Sequence, residues 1–225
     1  MCNITGFSGF HNYGESKIGG GISIFVKDSL MSESLGLCHN SNILECLAVK
    51  VYCNNIQKWV NVMGVYRPPS TPVKIFNENF NQILESSKVT QTDCIIAGDF
   101  NICLMNEMSL ADSSEFQDMM QSNHLLPIIT CPTRVTDKGA SLIDHVWTNI
   151  LSETQSGVIE INVTDHYPTL SIFKYYKNNL NDKIKIEFRD VNDCNVCKFK
   201  SILNETDWSY ILGESNNPNN YVSNF

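Results

Sequence analysis

Residues 94–104 read CIIAGDFNICL. The stretch 94–98 is short and almost wholly apolar, as a strand covered on both faces of a sheet should be. It breaks at Gly98 and leaves Asp99 and Asn101 two positions apart. In extended chain, residues two apart face the same side. Asp99 and Asn101 should therefore face one cavity while Phe100 turns back into the core. Gly98 lets another backbone or a ligand come close. An acid beside an amide can take a proton from water and donate hydrogen bonds to an oxyanion. The same four residues equally fit a turn, with Asp99 as its cap and Asn101 satisfying a loop.

Other strands can be read around this one. Branched and aromatic residues predict strands over 22–27, 44–51 and 59–66. Asn54 and Asn55 suit a hairpin turn between the last two. Pro68 and Pro69 close the third, because proline cannot donate to a ladder. Thr71-Pro72 then opens a helix whose Phe76, Phe80, Ile83 and Leu84 form one apolar stripe. A second helix is expected from Ser113 or Ser114, with Phe116, Met119 and Met120 on its apolar side. Further strands are expected over 142–147, 158–163 and 169–175. Strands alternating with two helices, and several hairpins, predict an α/β layered sandwich of mixed sheets. Beyond residue 176 the chain turns polar and rich in asparagine, with a short helix expected over 193–203.

The bulk composition narrows the function classes. The chain has 225 residues, 42% hydrophobic and 18% charged, which is an ordinary globular balance. No apolar stretch approaches the roughly 18–20 residues of a membrane helix. Residues 1–10 carry neither a cationic start nor a long apolar run, so the expected location is cytosol or nucleus. Nine cysteines, an odd number spread over a long chain, read as reduced thiols buried as small hydrophobes rather than as a disulfide framework. Cys194 and Cys197 stand alone as a C-x-x-C, short of the four ligands a structural zinc needs. The formal charge of −8 argues against tight non-specific DNA binding by this chain alone. It leaves room for a phosphate-handling site, since a divalent metal reverses the local field.

Four clusters sit at predicted strand ends: Tyr66-Arg67-Pro68-Pro69, Gly98-Asp99-Phe100-Asn101, Ile143-Asp144-His145 and Thr164-Asp165-His166-Tyr167-Pro168. Strand ends converge at one rim of a sheet, where α/β folds build their sites. Asp165 beside His166 could bind a hard metal through oxygen while the imidazole meets phosphate. The pair also fits a surface acid that starts a turn before Pro168. Asp144, between Ile143 and Val146, needs a partner, and a histidine N–H is a good one. It could also be an ordinary sheet-edge acid. His145 points away from Asp144 and reads as structural, as do His11, His39 and His124.

Taken in order, Tyr-x-Pro, G-D-x-N, an isolated strand Asp and D-H-x-P resemble the endonuclease/exonuclease/phosphatase superfamily, to which the apurinic/apyrimidinic endonucleases belong. Gly19-Gly20-Gly21-Ile22, Tyr66 to Ser70, Pro132-Thr133-Arg134 and Ser141 to Asn149 are similar to the endonuclease domain of non-LTR, jockey-like retrotransposon polyproteins. The resemblance spans about residues 6–175 and implies a four-layer α/β sandwich of two mixed sheets flanked by helices. It implies that Asp99 orients or deprotonates the attacking water and that Asn101 and His166 bind the scissile phosphate. It further implies that Asp144 fixes the tautomer of His166, that Tyr66 contacts the phosphate or the leaving side, and that Asp165 sits at a Mg²⁺ ion. The expected function is Mg²⁺-dependent nicking of DNA for retrotransposon integration. Residues 176–225 resemble a polar linker towards a reverse transcriptase carried in cis by the parent polyprotein; no Y-x-D-D motif occurs.

The family pattern also has an asparagine strand and a metal-binding glutamate strand well before the Gly-Gly-Gly segment. Only 18 residues precede Gly19, and neither role transfers to Asn3, Asn12 or Glu15. The expectation is therefore a domain lacking its first strands, with weakened metal affinity and impaired or absent activity. The alternatives are a non-catalytic fragment of a mobile-element protein, or a phosphatase of the same superfamily.

Overall fold

A six-stranded sheet carries Cys94 to Asp99 near its middle. The computed structural model describes residues 3–13, 20–105, 110–150, 153–161, 163–174 and 193–205. In chain order the strands are β1 (Phe7–Asn12), β2 (Ile22–Lys27), β3 (Ser32–Asn40), β4 (Glu45–Cys53), β5 (Lys58–Tyr66) and β6 (Cys94–Asp99). There follow β7 (Leu126–Pro127), β8 (Arg134–Thr136), β9 (Gly139–Ser141), β10 (Asp144–Thr148), β11 (Glu153–Val158) and β12 (Thr169–Lys174). The helices are α1 (Val73–Ser87), α2 (Leu110–Ser122) and α3 (Asp193–Glu205). The large sheet runs β3-β4-β5-β6-β10-β7, parallel between β5 and β6 and antiparallel at its other pairings.

Alternation along these strands divides the core in two. Cys46, Ala48, Met63, Val65, Cys94, Ile96 and Trp147 point to one face and pack with Phe76, Phe80 and Leu84 of α1 and Phe116 and Met120 of α2. On the other face lie two antiparallel pairs, β1-β2 and β11-β12. Ile22 and Ile24 of β2 close over Gly64, where an added Cβ would fall 2.6 Å from a methyl of Ile22. Val158 of β11 packs against Ile129, Leu142 and Val146. The fold is thus α/β: helices, a mixed sheet, and smaller sheets behind it.

Several boundaries differ from the expectation. The strand placed over 158–163 lies instead at Glu153–Val158, a mostly polar segment. Cross-strand pairing with β12 decides this, including the 2.9 Å ion pair of Glu153 and Lys174, so residues 159–161 lie beyond the strand. Helix α2 begins at Leu110, ahead of Ser113, which is buried within it. Strands β1 and β3 carry glycine and serine among few branched residues and gave little signal. The thiols divide: Cys46 and Cys94 are buried, Cys53 and Cys103 are half-buried, and Cys38, Cys131 and Cys197 are exposed, all seven of them free. The chain separates into two units, residues 1–177 and 178–225, the second containing α3. No described helix is long and apolar enough to cross a membrane.

Candidate active site

One cross-sheet row positions the site. Glu45 on β4 pairs with Tyr66 on β5, Tyr66 with Asp99 on β6, and Asp99 with Asp144 on β10. Paired residues on neighbouring strands project to the same face, with strands about 4.8 Å apart. Three carboxylates and a phenol therefore line the rim of the sheet away from the helices. β10 runs antiparallel to β6, so Asp144 is its first residue and still meets the end of β6.

The turn after β6 is built by backbone. Phe100 is fully buried, its ring 4.9 Å from that of His145 and nearly parallel to it. Asn101 leaves the strand in the left-handed region, at φ 50°. Strand alternation therefore ends at Phe100, and the Asp99–Asn101 relation is a turn. The N–H of Asn101 donates to Oδ1 of Asp99 at 3.0 Å, and its Nδ2 donates to the carbonyl of Arg67 at 2.8 Å. The turn reading of the stretch holds: Asp99 caps the turn, and its carboxylate sits on the rim row with Tyr66 and Asp144. The Asn101 amide has a second N–H, which makes no hydrogen bond among the described residues. Gly98 is obligatory here, since an added Cβ would lie 1.8 Å from the carbonyl oxygen of Val65.

Arg67 is 4% exposed and locks this turn. Its guanidinium donates to the carbonyls of Phe100 at 3.2 Å, Asn101 at 3.1 Å, and Thr71. Thr133, also buried, ties the other side. Its Oγ1 accepts the N–H groups of Ile143 at 3.2 Å and Asp144 at 2.9 Å, and its carbonyl accepts the N–H of Tyr167 at 2.7 Å. One threonine thereby fixes both Asp144 and the His166 segment. Neither role could be assigned from local pattern, though both residues lie inside the quoted motifs.

His166 turns Nδ1 to Asp144, 3.1 Å from Oδ1 and 3.0 Å from Oδ2. With Nδ1–H donated to the carboxylate, Nε2 is presented outward, and the ring cannot swing freely. Ligand atoms of Asp99, Asp144 and His166 all lie within 4.8 Å of one another. Asp165 is not in this group: its Oδ2 accepts from Nε of Arg134 at 2.7 Å, and both side chains are largely exposed. His145 faces the helices, with Nε2 2.9 Å from the carbonyl of Ile102.

Electrostatics follow the geometry. Burial pushes the Asp99 carboxyl above its ordinary value and Asp144 adds to this, while the Asn101 N–H, His166 and Arg134 oppose it. Burial also raises the Tyr66 phenol, helped by Asp99 and Glu45, so it stays a proton donor. Glu45 is itself 5% exposed, and its Oε2 accepts the N–H of Gly21 at 2.5 Å. Burial drops the His145 imidazole to about 4, which leaves it neutral. The Arg134 hydrogen bond holds the Asp165 carboxyl below its ordinary value.

A family model described as "Endonuclease-reverse transcriptase" matches residues 60–170, from β5 through β12's first residues and including every site residue above except Glu45. No curated protein matches the chain. Among solved structures, the endonuclease domain of TRAS1, a telomere-specific non-LTR retrotransposon, matches with TM-score 0.59 at 15% identity, covering 77% of this chain and 83% of that one. An endonuclease/exonuclease/phosphatase family protein from Leptotrichia buccalis C-1013-b matches with TM-score 0.55 at 12% identity, over 77% of this chain and 74% of its own. One from Bacteroides vulgatus matches with TM-score 0.53 at 12% identity, over 75% and 77%. At such identities the likeness is one of fold.

Proposed function

We propose, for a chain that belongs through residues 60–170 to the endonuclease-reverse transcriptase family and to the endonuclease/exonuclease/phosphatase superfamily, that it hydrolyses phosphodiester bonds of DNA with a divalent metal ion. Its place would be the nicking domain of a retrotransposon polyprotein that carries a reverse transcriptase. The Asp144–His166 pair standing beside Asp99 at one sheet rim carries this proposal.

The donor set fits a hard cation. Burial first, and Asp144 after it, raise the Asp99 carboxyl, and a cation held here would relieve the repulsion between the two carboxylates. Mg²⁺ is the ion proposed; Asp99, with Asp144 beside it, would hold it. Asp165 would join once released by Arg134. When bound, the ion neutralises charge on the phosphate oxygens. Asp99 orients the attacking water and takes its proton. The free N–H of Asn101 and Nε2 of His166 hydrogen-bond the scissile phosphate. Asp144 keeps the His166 ring aimed, and the Tyr66 phenol donates to the phosphate or to the leaving oxygen. With Asp99 and Asp144 as the converging carboxylates among the described residues, metal affinity should be low and activity modest.

The test is conversion of supercoiled plasmid to nicked circles over a Mg²⁺ titration. Nicking that rises with Mg²⁺ and stops in EDTA supports the proposal. Absence of nicking across the titration would favour the non-catalytic reading.

A further inference from the structure

Arg134 stands where a charged substrate would need it. It opens β8, which pairs with β9 on one side and bridges His166 on the other. The N–H of Val135 donates to the Asp165 carbonyl at 3.0 Å, so the backbone holds Arg134 beside the Asp165-His166 segment. Its charge reaches the half-buried carboxylate of Asp99.

The chain's arginines are Arg67, Arg134 and Arg189. Arg67 is buried and spent on backbone carbonyls. Arg134 is 42% exposed and engages Asp165, itself 45% exposed, through Nε. Its two terminal nitrogens make no hydrogen bond among the described residues. A guanidinium with that edge open matches the paired oxygens of a phosphate. The surrounding rim carries Glu45, Asp99, Asp144 and Asp165, and the chain as a whole carries −8, so a polyanion needs a local cation to approach.

We propose that Arg134 binds a DNA backbone phosphate beside the Asp99–Asp144–His166 cluster, and that Asp165 holds its guanidinium in place until DNA displaces it. This rests on the nuclease function proposed above. An exposed ion pair is readily exchanged for another anion, because solvent already screens it. A phosphate contact weakens binding uniformly across sequences and adds about one unit to the slope of log affinity against log salt.

The experiment is an anisotropy titration of a fluorescent duplex oligonucleotide in EDTA, which stops turnover, at several salt concentrations. Arg134→Ala and Arg134→Gln should weaken binding about tenfold and flatten the salt slope by about one unit, whereas Arg134→Lys should keep the slope. Asp165→Asn should tighten binding in the parent but not in the Arg134→Ala background. Unchanged affinity and slope in both Arg134→Ala and Arg134→Gln, with the parent still binding, would overturn the inference and leave the nuclease function standing. Equal tightening by Asp165→Asn in both backgrounds would overturn the holding role of Asp165. A parent chain with no salt-sensitive DNA binding would overturn this inference and the nuclease function together.

Discussion

Nδ1 of His166 lies 3.0 Å from Oδ2 and 3.1 Å from Oδ1 of Asp144, two residues 22 positions apart in the chain and brought together by β10 and the loop before β12. The contact is centred on the carboxylate, so it fixes the ring's direction as well as its proton. Asp144→Asn should release that control. The expected loss is about 10- to 100-fold in nicking rate. Long-range ¹H–¹⁵N spectra should show the Nδ1–H tautomer of His166 in the parent and a mixture in the variant. An unchanged tautomer would separate the pair from the chemistry.

Gly98→Ala should destabilise the fold by about 3 kcal/mol or more. The new Cβ would meet backbone, the Val65 carbonyl at 1.8 Å, rather than a side chain that could move. Urea unfolding measures the change. A variant within experimental error of the parent would mean that β5 and β6 are not in this parallel register.

Arg67→Lys should cost about 3 kcal/mol, since one ammonium cannot replace a fork reaching three carbonyls. It should also lower nicking, because the Asn101 turn hangs on the same carbonyls. Arg67→Met should be at least as damaging. Full stability in either variant would contradict the role given to this buried charge.

These two cases also mark what could be read in advance. The end of β5 at Pro68, the stripe of α1, the burial of Phe100 and the facing of His145 all follow from local rules of alternation and proline chemistry. That Asp144 needs a partner such as a histidine N–H was legible locally, but the choice of His166 came from the family resemblance. The role of Thr133 was not legible, because its hydroxyl serves N–H groups ten and eleven residues ahead. That of Arg67 was not, because a charge expected at the surface is stabilised by carbonyls that only the folded turn assembles. The Arg134–Asp165 pair joins β8 to a loop 31 residues on, which no periodicity reports. β11 was misplaced because its position is set by its partner strand.

The pH dependence of stability should carry the mark of His145. Its folded value of about 4 lies below the ordinary 6.5, so the unfolded chain binds more protons between these values. The neutral ring's contribution is fully present above pH 6.5 and is lost as pH falls towards 4, by about 3 kcal/mol in all. His145→Phe should flatten unfolding free energy across this window. A slope that survives the substitution would assign the titration to another group.

Asp99 should behave in the opposite sense. Its raised carboxyl binds a proton more tightly in the folded chain, so its contribution favours the fold below pH 3.8 and is lost as pH rises through the raised value. Asp99→Asn should therefore be more stable than the parent at pH 7 and indistinguishable at pH 3, by thermal melting at both. The same variant should abolish nicking. A destabilised Asp99→Asn at pH 7 would mean that the carboxylate's hydrogen bond to Asn101 outweighs its burial.

The most direct measurement of the central claim is a double-mutant comparison of Mg²⁺-dependent plasmid nicking by the parent, Asp144→Ala, His166→Ala and the double variant. If the two residues act as one unit beside Asp99, each single change should lose nearly as much rate as the double, by about 100-fold or more. Losses that multiply in the double variant, or nicking undiminished in either single variant, would contradict the assignment of this rim as the catalytic site.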